Sequence, residues 1–194
     1  MQKNNPEKIK IQNKKITPGS RLRFFMKNSI QHPEEKTVIR EVRESDHGSI
    51  IAIFNYYAAT SYAAYPDIPV NEWFFAFLQE GAFAFYVLEC ESNVVGFGLM
   101  KPLLPFPAFM TTGLLTYFIQ PEYTRMHLGR KLLDRLTADA KKMGITSLVA
   151  NMASKNRSSI RFHLQQGFTE VGRLHNAGSK FGEPFDMVWM QKRV

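Results

Sequence analysis

One cysteine, Cys90, stands in a chain of 194 residues. An intramolecular disulfide and any cysteine-built metal cluster are thereby excluded, and a reducing, cytoplasmic compartment is expected. No apolar run approaches the ~20 residues of a membrane span. The N-terminal segment also lacks the long apolar core of a secretory signal, and Glu7, Glu34 and Glu35 count against an organellar presequence. No internal repeat is visible. Acidic residues are scarce at the start: residues 1–36 hold nine Lys/Arg against three Glu, so six of the eight net positive charges sit there. From 37 onward sixteen basic residues face fourteen acidic ones. Residues 1–36 therefore read as a disordered basic tail, a solvated extension. The alternative of an RNA or acidic-membrane contact is weaker, because only Phe24 and Phe25 are interleaved with its charges. No nucleic-acid or membrane partner is expected.

Residues 37–194 are one domain's worth of chain. Residues 37–42 alternate weakly and predict a strand. Ser45 or Asp46 caps the helix that follows, with Ile50, Ile51, Phe54, Tyr57 and Ala58 on its apolar face. Asn71 caps a short aromatic helix over 72–79. Strands are predicted over 83–89, 94–100, 113–119, 146–151, 168–174 and 185–191. Helices are predicted over 128–143, where Leu128, Leu132, Leu133, Leu136, Ala140 and Met143 form the stripe, and over 158–166. The order is β-α-α-β-β-β-α-β-α-β-β.

Chemistry concentrates in 115–133. A strand stops at Pro121, and a loop of small and cationic residues runs straight into the strongest helix. Free N–H groups at a helix start, backed by its dipole, bind anions. Gly129 allows close approach, and Arg125 and Arg130 add charge. The pattern fits a phosphate or pyrophosphate binder and equally an ordinary βα turn.

This segment resembles the acetyl-CoA pyrophosphate loop of GNAT acetyltransferases, Arg/Gln-x-x-Gly-x-Gly/Ala. With the last position on Gly129, Thr124 and His127 depart from it. Asn156 through Phe168 is similar to the family's second signature, with Ser159 at its small position and His163 at its Tyr/His position. The opening from Val38, Glu72-Trp73, and Ala177-Gly178-Ser179-Lys180-Phe181-Gly182 with Asp186 and Trp189 resemble the phosphinothricin acetyltransferase-like branch. The resemblance covers about 37–192.

It implies an α/β (α+β) fold with a twisted, mixed, mostly antiparallel sheet flanked by helices. It also implies direct transfer from acetyl-CoA, without a metal, to a primary amine, and a homodimer. The backbone of Tyr117, Phe118 and Ile119 would pair with pantetheine. Arg125, Met126, His127, Leu128, Gly129 and Arg130 would form the pyrophosphate loop, and Asn156 and Ser159 would border the cofactor. His163 would protonate the departing thiolate, with Tyr117 as a second catalytic candidate. Asn156 reads equally as a helix cap, and a side chain at 127 would crowd the pyrophosphate unless φ there is negative.

Two departures bear on the acceptor. Leu114 stands where the branch carries a carboxylate base, and no charge occurs between Lys101 and Glu122. Without a base, an amine of pKa about 7.8, roughly a quarter neutral, is favoured over lysine, about 0.1% neutral, a deficit of about 4 kcal/mol. The uncharged loop points to a hydrophobic small-molecule amine, or to a surface covered by a partner subunit. A peptide amine acetyltransferase and a non-catalytic acyl-CoA-binding module remain as alternatives.

Overall fold

Alternation and helical periodicity recur in the computed structural model, which describes residues 36–194. The tail expected over 1–36 lies, Lys36 apart, outside those residues. The elements are β1 (Thr37–Glu41), α1 (His47–Thr60), α2 (Trp73–Gln79), β2 (Ala84–Cys90), β3 (Asn93–Pro102) and β4 (Thr112–Ile119). They continue with α3 (Leu128–Lys142), β5 (Ser147–Ala153), α4 (Arg157–Gln165), β6 (Thr169–Lys180) and β7 (Glu183–Arg193). Their order is the expected one. The strands form one seven-stranded sheet, β1-β2-β3-β4-β5-β7-β6, in which only the β4–β5 pair is parallel. Among the described residues no helix is long and apolar enough to cross a membrane.

The period-2 strands put apolar side chains on both faces, so each face buries a helical layer. One core joins Tyr86, Leu88, Leu115, Leu148 and Val188 of the sheet to Leu128, Leu132, Leu133 and Leu136 of α3. The other joins Phe85, Val87, Phe97 and Leu99 to Ile50, Ile53 and Phe54 of α1 and Phe74, Phe75 and Leu78 of α2. Burying one such side chain contributes about 1.5–3 kcal/mol. Met143, assigned to the α3 stripe by periodicity, lies beyond the helix end and is exposed.

Local chemistry differed from expectation in two places. Asp46 makes no side-chain cap bond to α1. Its carboxylate instead accepts from Arg43 N at 2.7 Å and from Arg40 Nη1 and Nη2 at 2.7 and 2.9 Å. Arg40 holds Asp46 below the usual carboxylate range, and its Nε donates to Glu89 at 2.6 Å. A buried charge is better neutralised by a guanidinium than by helix N–H groups alone. The second difference is β6, which continues to Lys180 rather than ending at Leu174. Pairing with β7, interrupted by register shifts, carries poor strand formers such as Asn176 and Gly178.

Helix α3 seats closely on the sheet because β3 has no side chain at Gly98. A Cβ there would come within 2.6 Å of Leu132 Cδ2 and 3.1 Å of Tyr117 Cβ. Gly98→Ala is expected to destabilise the domain by about 1–3 kcal/mol through forced repacking, read as a lowered urea midpoint with an unchanged m-value.

Candidate active site

The parallel ladder is short: Thr112↔Ser147, Gly113↔Leu148 and Leu114↔Val149. Beyond it β4 stays with β3 out to Ile119↔Gly96, while β5 stays with β7 out to Ala153↔Met187. The two central strands therefore part company and leave a cleft in the sheet. Leu103 N donates to Thr112 O and Gln120 N to Val95 O, so the even-numbered residues of β4 bond β3. The peptides of Tyr117 and Ile119 consequently face the cleft. Ile119 O is taken by the Tyr57 hydroxyl at 2.5 Å. The Tyr117 N–H and carbonyl and the Ile119 N–H have no ladder partner there. Phe118 differs from its neighbours: its peptide bonds β3, and its ring packs against Phe54 and Phe97.

The loop after β4 delivers the chain to α3 through two left-handed residues, Arg125 (φ 63°) and His127 (φ 56°). Left-handed backbone costs a non-glycine residue roughly 1–2 kcal/mol. The condition of a negative φ at 127 is thus unmet, and a histidine occupies the conformation that glycine would take without strain. His127 is the N-cap of α3 and makes no side-chain cap bond, so the first N–H groups of the helix remain available. Met126 and Leu128 pack into the core beside α3. Arg125 and His127 are exposed, and Arg130 reaches Asp134 at 3.7 Å. At Gly129 a Cβ would meet only ordinary contacts with Ile119 and Phe162. The N–H groups of the first α3 turn fit an anion, whereas the left-handed His127 retains the crowding expected of its side chain.

On the α3–α4 face, Tyr117 meets His163. The His163 Nδ1 lies 2.8 Å from Ser159 O, which places the ring proton on Nδ1 and leaves Nε2 as acceptor. The Tyr117 hydroxyl then donates to Nε2 at 2.5 Å. Burial lowers the His163 pKa, opposed by its bond to Ser159, and burial raises that of Tyr117. Both groups are therefore neutral near pH 7, and the proton between them belongs to Tyr117. This differs from the expectation that the His163 ring itself offers a proton. Ser159, expected at the cofactor, has its carbonyl on His163. Asn156 is the α4 cap, accepting from Ser159 N at 3.2 Å.

On the opposite face, the 61–72 connection brings aromatic residues to β5 and β7. Tyr65 donates to Asn151 Oδ1 at 2.7 Å and stacks on Phe185 at 6.0 Å. Tyr62 packs edge-on against Phe181 and Phe185. Lys155 pairs with Glu183. Gly178 lets the Phe185 ring lie flat, since a Cβ there would sit 2.4 Å from Phe185 Cζ. Sequence reasoning gave no role to Asn151, and although it placed Tyr57 on an apolar helix face and Lys180 in the 177–182 motif, it missed what they bond. Their partners are remote in sequence, so local context does not reveal those bonds. Leu114 shares its strand face with Thr116 and Phe118, so no carboxylate replaces it there. Cys90 is buried. A polar cavity of about 500 Å³ lies elsewhere, lined by Arg40, Arg43, Asp46, Ser49, Glu89 and Gln120 among others, and includes none of the expected site residues. Among the described residues no group of three or more His, Cys, Asp or Glu could hold a metal ion.

Comparison with known proteins agrees with this geometry. The family described as acetyltransferase (GNAT) domain matches residues 39–189. The L-amino acid N-acyltransferase MnaT of Escherichia coli K12 is 31% identical, over 80% of this chain and 93% of that protein. A phosphinothricin N-acetyltransferase of Alcaligenes faecalis is 28% identical, over 79% of this chain and 81% of that protein. The solved structure of yncA from Salmonella typhimurium, determined with its cofactor acetyl-CoA, superposes with a TM-score of 0.73 at 30% identity. It covers 81% of this chain and 93% of that one. A cleft between the central strands, a helix start with available N–H groups and a family match across nearly the whole domain lead to one conclusion: the chain belongs to the GNAT acetyltransferase family.

Proposed function

We propose that this acetyltransferase moves the acetyl group of acetyl-CoA to the primary amine of an amino-acid-like small molecule with an apolar side chain. The observation that carries the reading is the cleft between β4 and β5, where the Tyr117 peptide and the Ile119 N–H, without ladder partners, lie beside the Tyr117–His163 pair. Relatives named for L-amino acids and phosphinothricin support the acceptor class. The aromatic wall of Tyr62, Tyr65 and Phe185 supports its apolar character. With Leu114 in place of a carboxylate, an amine of low pKa is favoured over lysine.

Acetyl-CoA, when bound, supplies a thioester whose carbonyl carbon is the electrophile. The first turn of α3 and the Arg125 side chain would hold its pyrophosphate. One of the N–H groups of Tyr117 and Ile119 would polarise the thioester carbonyl and steady its oxygen as it gains negative charge. The Tyr117 hydroxyl, oriented by His163 Nε2, would give its proton to the departing sulfur as the C–S bond breaks, and the proton that the acceptor nitrogen releases as the C–N bond forms would restore it. The acceptor nitrogen gives up one proton and the sulfur gains one, so the pair ends as it began. Exposed Leu104, Phe106 and Met110 in the 103–110 segment support a homodimer covering that surface. The lone, buried Cys90 thiol supports a reducing cytoplasmic setting.

Acetyl-CoA at millimolar concentration is expected to raise the melting temperature. Release of CoA thiol over an amine panel should rank amino-acid-like, low-pKa amines above lysine side chains. An unshifted melting temperature, or a lysine peptide as best acceptor, overturns the reading. Tyr117→Phe is expected to lower kcat at least about tenfold while acetyl-CoA affinity by calorimetry stays within about threefold. The His163 shift also has a pH signature. A histidine whose folded pKa lies below its ordinary 6.5 is neutral in the native state, while the unfolded chain takes up the proton first. Its stabilising contribution is present above pH 6.5 and is lost as pH falls from there through the folded value. Denaturant titrations at several pH values should show this slope in the native protein and a shallower one in His163→Gln.

A further inference from the structure

Lys180 is a buried ammonium, only 2% exposed, at the end of β6. Its Nζ donates to Ser61 O at 2.8 Å and to Ala64 O at 2.7 Å. Burial lowers its pKa, and the carboxylate that acts on it, Asp67, does so through space rather than in an ion pair. An ammonium bonded to two peptide carbonyls, with the Phe181 ring centroid 5.0 Å away and Asp67 acting only through space, is an expensive way to fasten a loop, since desolvating the charge costs more than two neutral hydrogen bonds return. The contact is also reciprocal. The Tyr62 hydroxyl, carried by the same loop, lies 3.2 Å from Lys180 O and 3.3 Å from Glu183 Oε2 and shares its one proton between them. The fastened segment bears both tyrosines of the aromatic wall, and Tyr65 reaches Asn151 on β5 from it.

We infer that Lys180 is a positioning residue for the acceptor: it clamps the 61–64 turn to the β6–β7 hairpin and so sets where Tyr62 and Tyr65 stand against an amine substrate. This rests on the acceptor reading of that face. Lys180 touches neither cofactor nor acceptor and acts through the two tyrosines. The donor side of the site, β4 and the start of α3, lies on other elements and does not depend on it. Removing the clamp therefore separates the two halves of the reaction.

The test uses the full chain. Lys180→Met is expected to raise the acceptor KM about fivefold or more, with kcat and acetyl-CoA affinity by calorimetry within about twofold. Hydrogen exchange of the 61–70 amides should speed up about tenfold while β4 and α3 stay protected. Lys180→Arg, which retains the charge and the donors, should recover at least half of the KM effect. Two results overturn the inference: an unchanged KM with unchanged exchange, or a fall in acetyl-CoA affinity in step with the acceptor effect, as a purely structural role requires. If Lys180→Met does not fold, Tyr62→Phe decides. It leaves the buried charge in place and should show the same split at about twofold to threefold, and an unmoved KM and exchange rate sink the proposal. Should the native protein acetylate no amine, the acceptor reading fails, while the exchange measurement still reports whether Lys180 holds the turn.

Discussion

Two central strands that begin as neighbours and then separate are the constraint on which the rest of this structure depends. A sheet normally satisfies its peptides by pairing on both sides. Here β5 leaves β4 after Leu114↔Val149, yet each keeps its outer partner. The cost is a set of inner-strand N–H and C=O groups without a protein partner. The Tyr57 hydroxyl satisfies one of them, the Ile119 carbonyl. What remains at Tyr117 and Ile119 is an edge in the middle of a sheet, suited to an extended, amide-containing ligand. The start of α3 stands just past the end of the same strand, so the proposed pantetheine and pyrophosphate contacts come from one continuous strand–loop–helix.

The electrostatics of the two faces differ in kind. On the α3–α4 face the site is neutral. Burial drives His163 down and Tyr117 up, so two titratable groups share one proton whose position is set by the Ser159 carbonyl. On the other face a buried cation, Lys180, is held by carbonyl oxygens, and the exposed Lys155–Glu183 pair lies at the rim. A neutral pair suits proton exchange between nitrogen and sulfur, because neither group must give up a counter-ion. A buried cation suits fastening, because its bonds have few competitors in a medium poor in water.

The loop between β4 and α3 reaches left-handed backbone without glycine. Thr124 and His127 occupy signature positions, and Arg125 and His127 take left-handed backbone. The strain is outweighed by the core contacts of Met126 and Leu128 on either side of His127. In this loop the conformation is imposed by anchoring rather than by the freedom of glycine.

Element order and the apolar faces of the helices were legible in the sequence, because periodicity and turn residues are local consequences of side-chain chemistry. The extension of β6 past Leu174 was not, since its residues favour turns and only β7 holds them extended. The cap on α1 misled for a similar reason: Asp46 is a good capping residue, but Arg40 from another element outbids the helix for its carboxylate. The sequence by itself determined which residues form most of the strands and helices, and it singled out His163 and Tyr117 as candidates for the chemistry. Only the tertiary structure decided that the proton between them rests on tyrosine, that the peptides of Tyr117 and Ile119 but not Phe118 face the cleft, and that Lys180 fastens the loop after α1. The first and last of those outcomes depend on distances between groups 46 and 119 residues apart, and the second on the register of β4 against β3. No local pattern of residues encodes such distances.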